Sequence, residues 1–163
     1  LNIFYNLGGI LVSILAFNYF FKVSQSENQE SIKTIAQNVS VLKIATLTCI
    51  LAPIFEEYIF RYLFFNTPPE KPLINVSNYQ SKYLKKNKDV LIFLPRLVVS
   101  SVLFAMIHMA TTPLSSWSIT MVPYIIIGWW LGITRIQTKS SIYNILLHSL
   151  YNSFALAILL STL

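Results

Sequence analysis

Residues 44–65 read IATLTCILAPIFEEYIFRYLFF. A helix that crosses a bilayer needs about 20 mostly apolar residues, and this stretch is long enough. It nevertheless carries Glu56, Glu57 and Arg61. An ionised side chain at mid-bilayer costs about 2.5–3.5 kcal/mol on insertion scales, and such groups usually face a protein interior or a wet cavity. A stretch that keeps three charges against that cost reads as one helix of a larger bundle, with its polar groups turned inward.

The flanking sequence has the same character. Ile3–Phe21 contains no charge. Residues 90–112 are apolar apart from Pro95-Arg96 and His108, residues 119–133 contain Pro123, Gly128 and Gly132, and residues 142–163 close the chain. Proline and glycine are tolerated inside transmembrane helices where neighbours re-satisfy the backbone. Residues 22–43 are polar with a weak helical rhythm and are expected along the interface. Residues 66–89 are expected to be a basic loop holding Lys82, Lys85, Lys86 and Lys88. The reading is an all-α integral membrane protein, a five-span transmembrane helix bundle forming a single domain over residues 1–163.

Composition supports this. The 163 residues are 55% apolar and 11% charged, against about 25% charged in soluble domains, and mean hydropathy is +0.60. A soluble globule, a disordered chain and a disulfide scaffold are all excluded, the last because Cys49 is the only cysteine. The net charge of +6 does not point to nucleic acid, because the basic residues lie between apolar runs, where they set orientation and meet lipid head groups. Eight Lys and Arg fall on the side of the second and fourth loops and three on the other. The positive-inside rule therefore places residues 66–89 and 135–141 in the cytoplasm. The abundance of Asn, Ile and Lys fits an AT-rich genome, hence a bacterial cell membrane.

Of six acids, only Glu56 and Glu57 lie within an apolar run, and both histidines, His108 and His148, do as well. Glu57 and Arg61 are four apart, on one helix face, where they can pair. Glu56 is turned about 100° from Glu57 and is left for another neighbour. Pro53 lacks an N–H, and in an α-helix it frees the Cys49 carbonyl. His148 and Asn152 are four apart on the last span. Glu56 lies nine residues from Phe65, His148 six from Ile142 and His108 twelve from Arg96. At 1.5 Å per residue these depths agree within about 9 Å. Glu56, His108, His148 and Asn152 are thus expected to meet in the cytoplasmic half.

Three motifs carry a family resemblance: Glu56-Glu57-xxx-Arg61 preceded by Pro53, Phe104-xxx-His108, and His148-xxx-Asn152. Together, in this order and each in an apolar span, they resemble the CPBP family of intramembrane proteases. That family includes the type II CAAX prenyl endopeptidases and the Abi group linked to bacteriocin self-immunity. The resemblance implies hydrolysis of a peptide bond near the cytoplasmic face. It implies that Glu56 and His108 activate water, that His148 and Asn152 donate to the oxyanion, and that Glu57 and Arg61 brace the first motif. Family members usually have more spans than the five read here, so further N-terminal helices are expected.

The chemistry is independent of the resemblance. Amide hydrolysis needs a base for water and donors where charge develops on the carbonyl oxygen. No G-x-S-x-G is present to support a serine mechanism. No cofactor is expected. Were a divalent metal such as zinc used, Glu56, His108 and His148 would be its ligands, although the HExxH motif is absent. The expected partners are a peptide or protein-tail substrate and the lipid bilayer, with no nucleic acid. Two alternatives stay open on the sequence: a non-catalytic membrane binding protein, such as a bacteriocin immunity factor or a sensor-kinase partner, and a small transporter with the same residues lining an ion path.

Overall fold

Asn2 and Ser140 mark where two long helices begin. The Asn2 side chain accepts from the Phe4 N–H at 3.0 Å and the Ser140 hydroxyl from the Tyr143 N–H at 3.2 Å, each satisfying an orphan amide of a first turn. Lys22 ends the first of these helices in the left-handed conformation, with φ at 49°.

The computed structural model describes residues 2–22, 27–65, 81–110, 112–114 and 117–162. In chain order the elements are α1 (Ile3–Phe21), α2 (Glu27–Asn38), α3 (Val41–Thr46), π1 (Leu47–Leu51), α4 (Ala52–Glu57), π2 (Tyr58–Tyr62), α5 (Leu63–Phe65), α6 (Ser81–His108), α7 (Trp117–Thr120), α8 (Val122–Thr138) and α9 (Ser141–Leu160). Among the described residues there is no strand, so the all-α reading holds. Residues 41–65 form one unbroken helix in which two wide π segments flank the Glu56-Glu57 turn.

α1 and α9 are long and apolar enough to cross a membrane. Only 17% and 22% of their apolar windows are buried, so neither is the core helix of a soluble protein. Phe4, Leu15 and Phe20 on α1 and Ile142, Leu146 and Ile158 on α9 point outward. These exposed apolar faces have the chemistry of acyl chains, whereas a soluble monomer rarely leaves such surface uncovered.

Two of the other stretches depart from the expected bounds. α6 begins at Ser81, inside the segment read as a basic loop, and runs through Pro95 without a break. Lys, Leu and Tyr continue a helix in water as readily as in lipid, and no glycine or further proline interrupts residues 81–94. Residues 66–80 lie outside the described residues. α6 ends at His108, short of Thr112, and α8 runs past Ile133 to Thr138, where Lys139 takes a left-handed cap with φ at 53°.

The inner faces of α1, π2, α6, α8 and α9 enclose a core of Ile10, Ile14, Phe60, Phe104, Ile127, Leu131 and Leu147. A second cluster, Ile44, Cys49, Leu156 and Leu159, joins the 41–65 helix to α9. α8 packs on α6 through its two glycines. A Cβ on Gly128 would sit 2.9 Å from the Ser101 Cα, and one on Gly132 would strike the Leu97 Cδ1. Small residues let helix backbones approach where no water drives them together. Gly128→Ala is therefore expected to lower stability by about 1–3 kcal/mol, read as an earlier thermal transition in detergent micelles. Gly132→Ala should cost less, because it meets the movable end of a leucine and not backbone.

Candidate active site

Glu56 and Glu57 are neighbours in sequence with opposite surroundings. The Glu57 side chain is 1% exposed and that of Glu56 is 21% exposed. One carboxylate is sealed in the bundle and the other stands at its open edge.

The sealed one is fully engaged. Glu57 Oε1 lies 3.4 Å from Arg61 Nη1 and 3.1 Å from His148 Nδ1, and Glu57 Oε2 accepts from Asn144 Nδ2 at 2.9 Å. Arg61 also donates through Nη2 to the Gly128 carbonyl at 3.1 Å, and its guanidinium sits 4.5 Å over the Phe104 ring. The expected Glu57–Arg61 pair is present, which is what a buried charge requires. The same glutamate also orients a histidine.

Asn144 was not among the residues singled out from the sequence. It is completely buried and donates to the Leu131 carbonyl at 2.7 Å as well as to Glu57. The signal for it was available: it precedes His148 by four residues, the interval that separates His148 from Asn152.

His108 is held on three sides. Its Nδ1 lies 2.8 Å from the Phe104 carbonyl, so that nitrogen carries the proton. Its ring lies between Phe104, with centroids 4.4 Å apart, and Tyr124, at 4.7 Å. Tyr124 is a second residue the sequence did not reveal, since no spacing links it to His108. The remaining nitrogen, Nε2, faces Glu56 Oε1 at 3.8 Å. Across the site, His148 Nε2 faces Glu56 Oε2 at 3.5 Å. That oxygen is buried and has no hydrogen-bond partner.

The structure therefore brings Glu56, His108 and His148 together, as their depths implied, with Glu57 and Arg61 behind them. Asn152 is turned elsewhere. Its Nδ2 donates to the Thr48 carbonyl at 2.8 Å.

Among the described residues no group of three His, Cys, Asp or Glu side chains is arranged to hold a metal ion.

What this geometry can do is shuttle protons. A partly exposed carboxylate lies between two imidazoles, within 4 Å of each, and a buried carboxylate orients one of them.

The family described as type II CAAX prenyl endopeptidase Rce1-like matches residues 38–154, a segment that contains Glu56, His108, His148 and Asn152. No curated protein and no solved structure matches the chain. With more than two-thirds of its length matched, the chain belongs to the type II CAAX prenyl endopeptidase Rce1-like family of membrane-embedded proteases.

Proposed function

We propose that this protein is an intramembrane endopeptidase that hydrolyses a peptide bond of a peptide or protein tail at the cytoplasmic side of a membrane, using water activated by Glu56 and His108. One observation carries the reading: each oxygen of the Glu56 carboxylate faces the Nε2 of a different histidine, at 3.8 and 3.5 Å, on the open edge of a buried ionic cluster.

The reaction follows from the positions of the protons. Water seated between Glu56 and His108 gives a proton to Glu56 as its oxygen attacks the carbonyl carbon. His108 accepts a hydrogen bond from that water, because its Nδ1 already carries its proton. Negative charge develops on the carbonyl oxygen. His148, with its Nδ1 held 3.1 Å from Glu57 Oε1, turns Nε2–H to that carbonyl oxygen. Collapse of the tetrahedral species breaks the C–N bond, and the proton taken by Glu56 passes to the leaving nitrogen. The products are a carboxylic acid and an amine, and the acid then gives its proton to the amine, leaving a carboxylate and an ammonium ion. Glu57, Arg61 and Asn144 touch no substrate and keep His148 in place.

Five membrane crossings, with residues 66–89 and 135–141 in the cytoplasm, complete this reading. The test is a comparison of peptide termini in cells carrying the wild type and Glu56→Gln. New termini that require Glu56 support the protease reading. Identical terminal profiles, with the biological effect retained, would favour the binding protein instead.

No step above passes through a metal. Hydrolysis of a membrane peptide by the purified protein is therefore expected to survive prolonged treatment with EDTA and 1,10-phenanthroline within about twofold. Loss of activity that added zinc restores would transfer the role of Glu56 from base to ligand.

A further inference from the structure

Pro53 and Asn152 are separated by 99 positions in the chain, yet one explains the other. In a regular α-helix the proline ring presses on the carbonyl four residues back, here that of Cys49. The chain avoids the clash with a wider turn. Leu47–Leu51 is π-helical, and the Ala52 amide donates to the Leu47 carbonyl, five residues back. Carried one residue further, the same step asks Pro53 to serve the Thr48 carbonyl. Proline has no N–H to give. A carbonyl shielded from water and without a donor is costly, and at the part-buried Thr48 carbonyl Asn152 Nδ2 fills the place at 2.8 Å from the facing helix α9. The carbonyl opened by Pro53 is thus that of Thr48, not Cys49.

We infer that Asn152 is a positioning residue: it caps the backbone carbonyl that Pro53 leaves open, and so holds the π turn that aims Glu56 at His108 and His148. Glu56 follows Pro53 by three residues. Gain or loss of one residue in the turn before it rotates everything that follows by about 100°, enough to carry the carboxylate out of the site. α9 bears both His148 and Asn152, so one helix sets the histidine and fixes the carboxylate it faces. π segments recur at functional sites in helices, and here the winding has an identifiable cause and an identifiable clamp.

This role and direct donation to the oxyanion differ in what they ask of Pro53. The test is a double-mutant cycle of Asn152→Ala and Pro53→Ala on the full chain in detergent micelles. Asn152→Ala is expected to lower kcat roughly tenfold or more, with KM within about threefold, because the base is misplaced while the binding surface is kept. Adding Pro53→Ala returns an N–H to the helix and should restore at least half of the lost rate. If the double variant is no faster than Asn152→Ala alone, with Pro53→Ala itself active, the inference is overturned and Asn152 acts on the reacting atoms.

The turnover arm rests on the protease reading, and a second arm does not. Cys49 is the only cysteine, so 15N-cysteine with 13C-carbonyl threonine gives a single correlated signal from the Thr48–Cys49 peptide. The carbonyl resonance should move upfield in Asn152→Ala and return towards its wild-type position when Pro53→Ala is added. An unmoved signal in Asn152→Ala refutes the cap, whether or not the protein cleaves anything and whatever Pro53→Ala does to turnover.

Discussion

Glu56→Gln is expected to reduce peptide hydrolysis by about 10²- to 10⁴-fold, the range that general acid–base catalysis commonly supplies. The substitution preserves shape and removes the charge of the carboxylate together with its ability to take and return a proton. Because the Glu56 side chain is 21% exposed and its nearest charged or titratable contacts are the two histidines, at 3.8 and 3.5 Å, the variant should insert and fold as the wild type does. Release of fluorescence from a quenched membrane-anchored peptide, in detergent or liposomes, gives the rate, and thermal unfolding of the same sample gives the control. A variant that folds and still turns over at more than a tenth of the wild-type rate would remove Glu56 from the chemistry. His108 would then have to act as base alone.

The second large effect is on stability. Arg61 and Glu57 are each 1% exposed and pair at 3.4 Å. Removing one member of a buried pair leaves an uncompensated charge, at a cost of about 3–5 kcal/mol. Arg61→Met is therefore expected to lower the unfolding temperature sharply and to reduce the yield of folded protein from membranes. Glu57→Gln placed in the same chain should recover more than half of that loss, since an amide at that position needs no cation and can still accept from Asn144. Thermal unfolding of the two single variants and the double variant, in one detergent, measures the recovery. Additive losses would show that Arg61 contributes through its hydrogen bond to Gly128 and its packing on Phe104, and not through the charge of Glu57.

The legibility of the site varied residue by residue. Glu56, Glu57, Arg61, His108 and His148 stood out because ionisable groups are costly in an apolar span, and a cost of that kind is visible without coordinates. The pairing of Glu57 with Arg61 was readable because residues four apart share a helix face. The helix-period rule misled at Pro53, where a π turn replaced the α turn and moved the open carbonyl by one residue. Asn152 stood out by its spacing from His148, and its bond to the Thr48 carbonyl could not be read because it depends on that winding. Tyr124 was invisible, because stacking against His108 joins two helices with no shared spacing.

Element bounds show the same division. The α1 boundaries at Ile3 and Phe21 were readable because a charge-free apolar run ends at Lys22. The start of α6 was not, because hydropathy marks where a helix enters lipid and says little about how far it continues in water.

The sequence by itself determined an apolar helical membrane protein with a few inward-facing ionisable groups, since burial cost and helical period are properties of the local chain. The tertiary structure alone decided which carboxylate is sealed and which is open, that Glu57 orients His148, and that Asn152 answers to a carbonyl 104 positions away. The reason is geometric: a hydrogen bond between helices depends on crossing, depth and winding together, and no one segment of the chain contains all three.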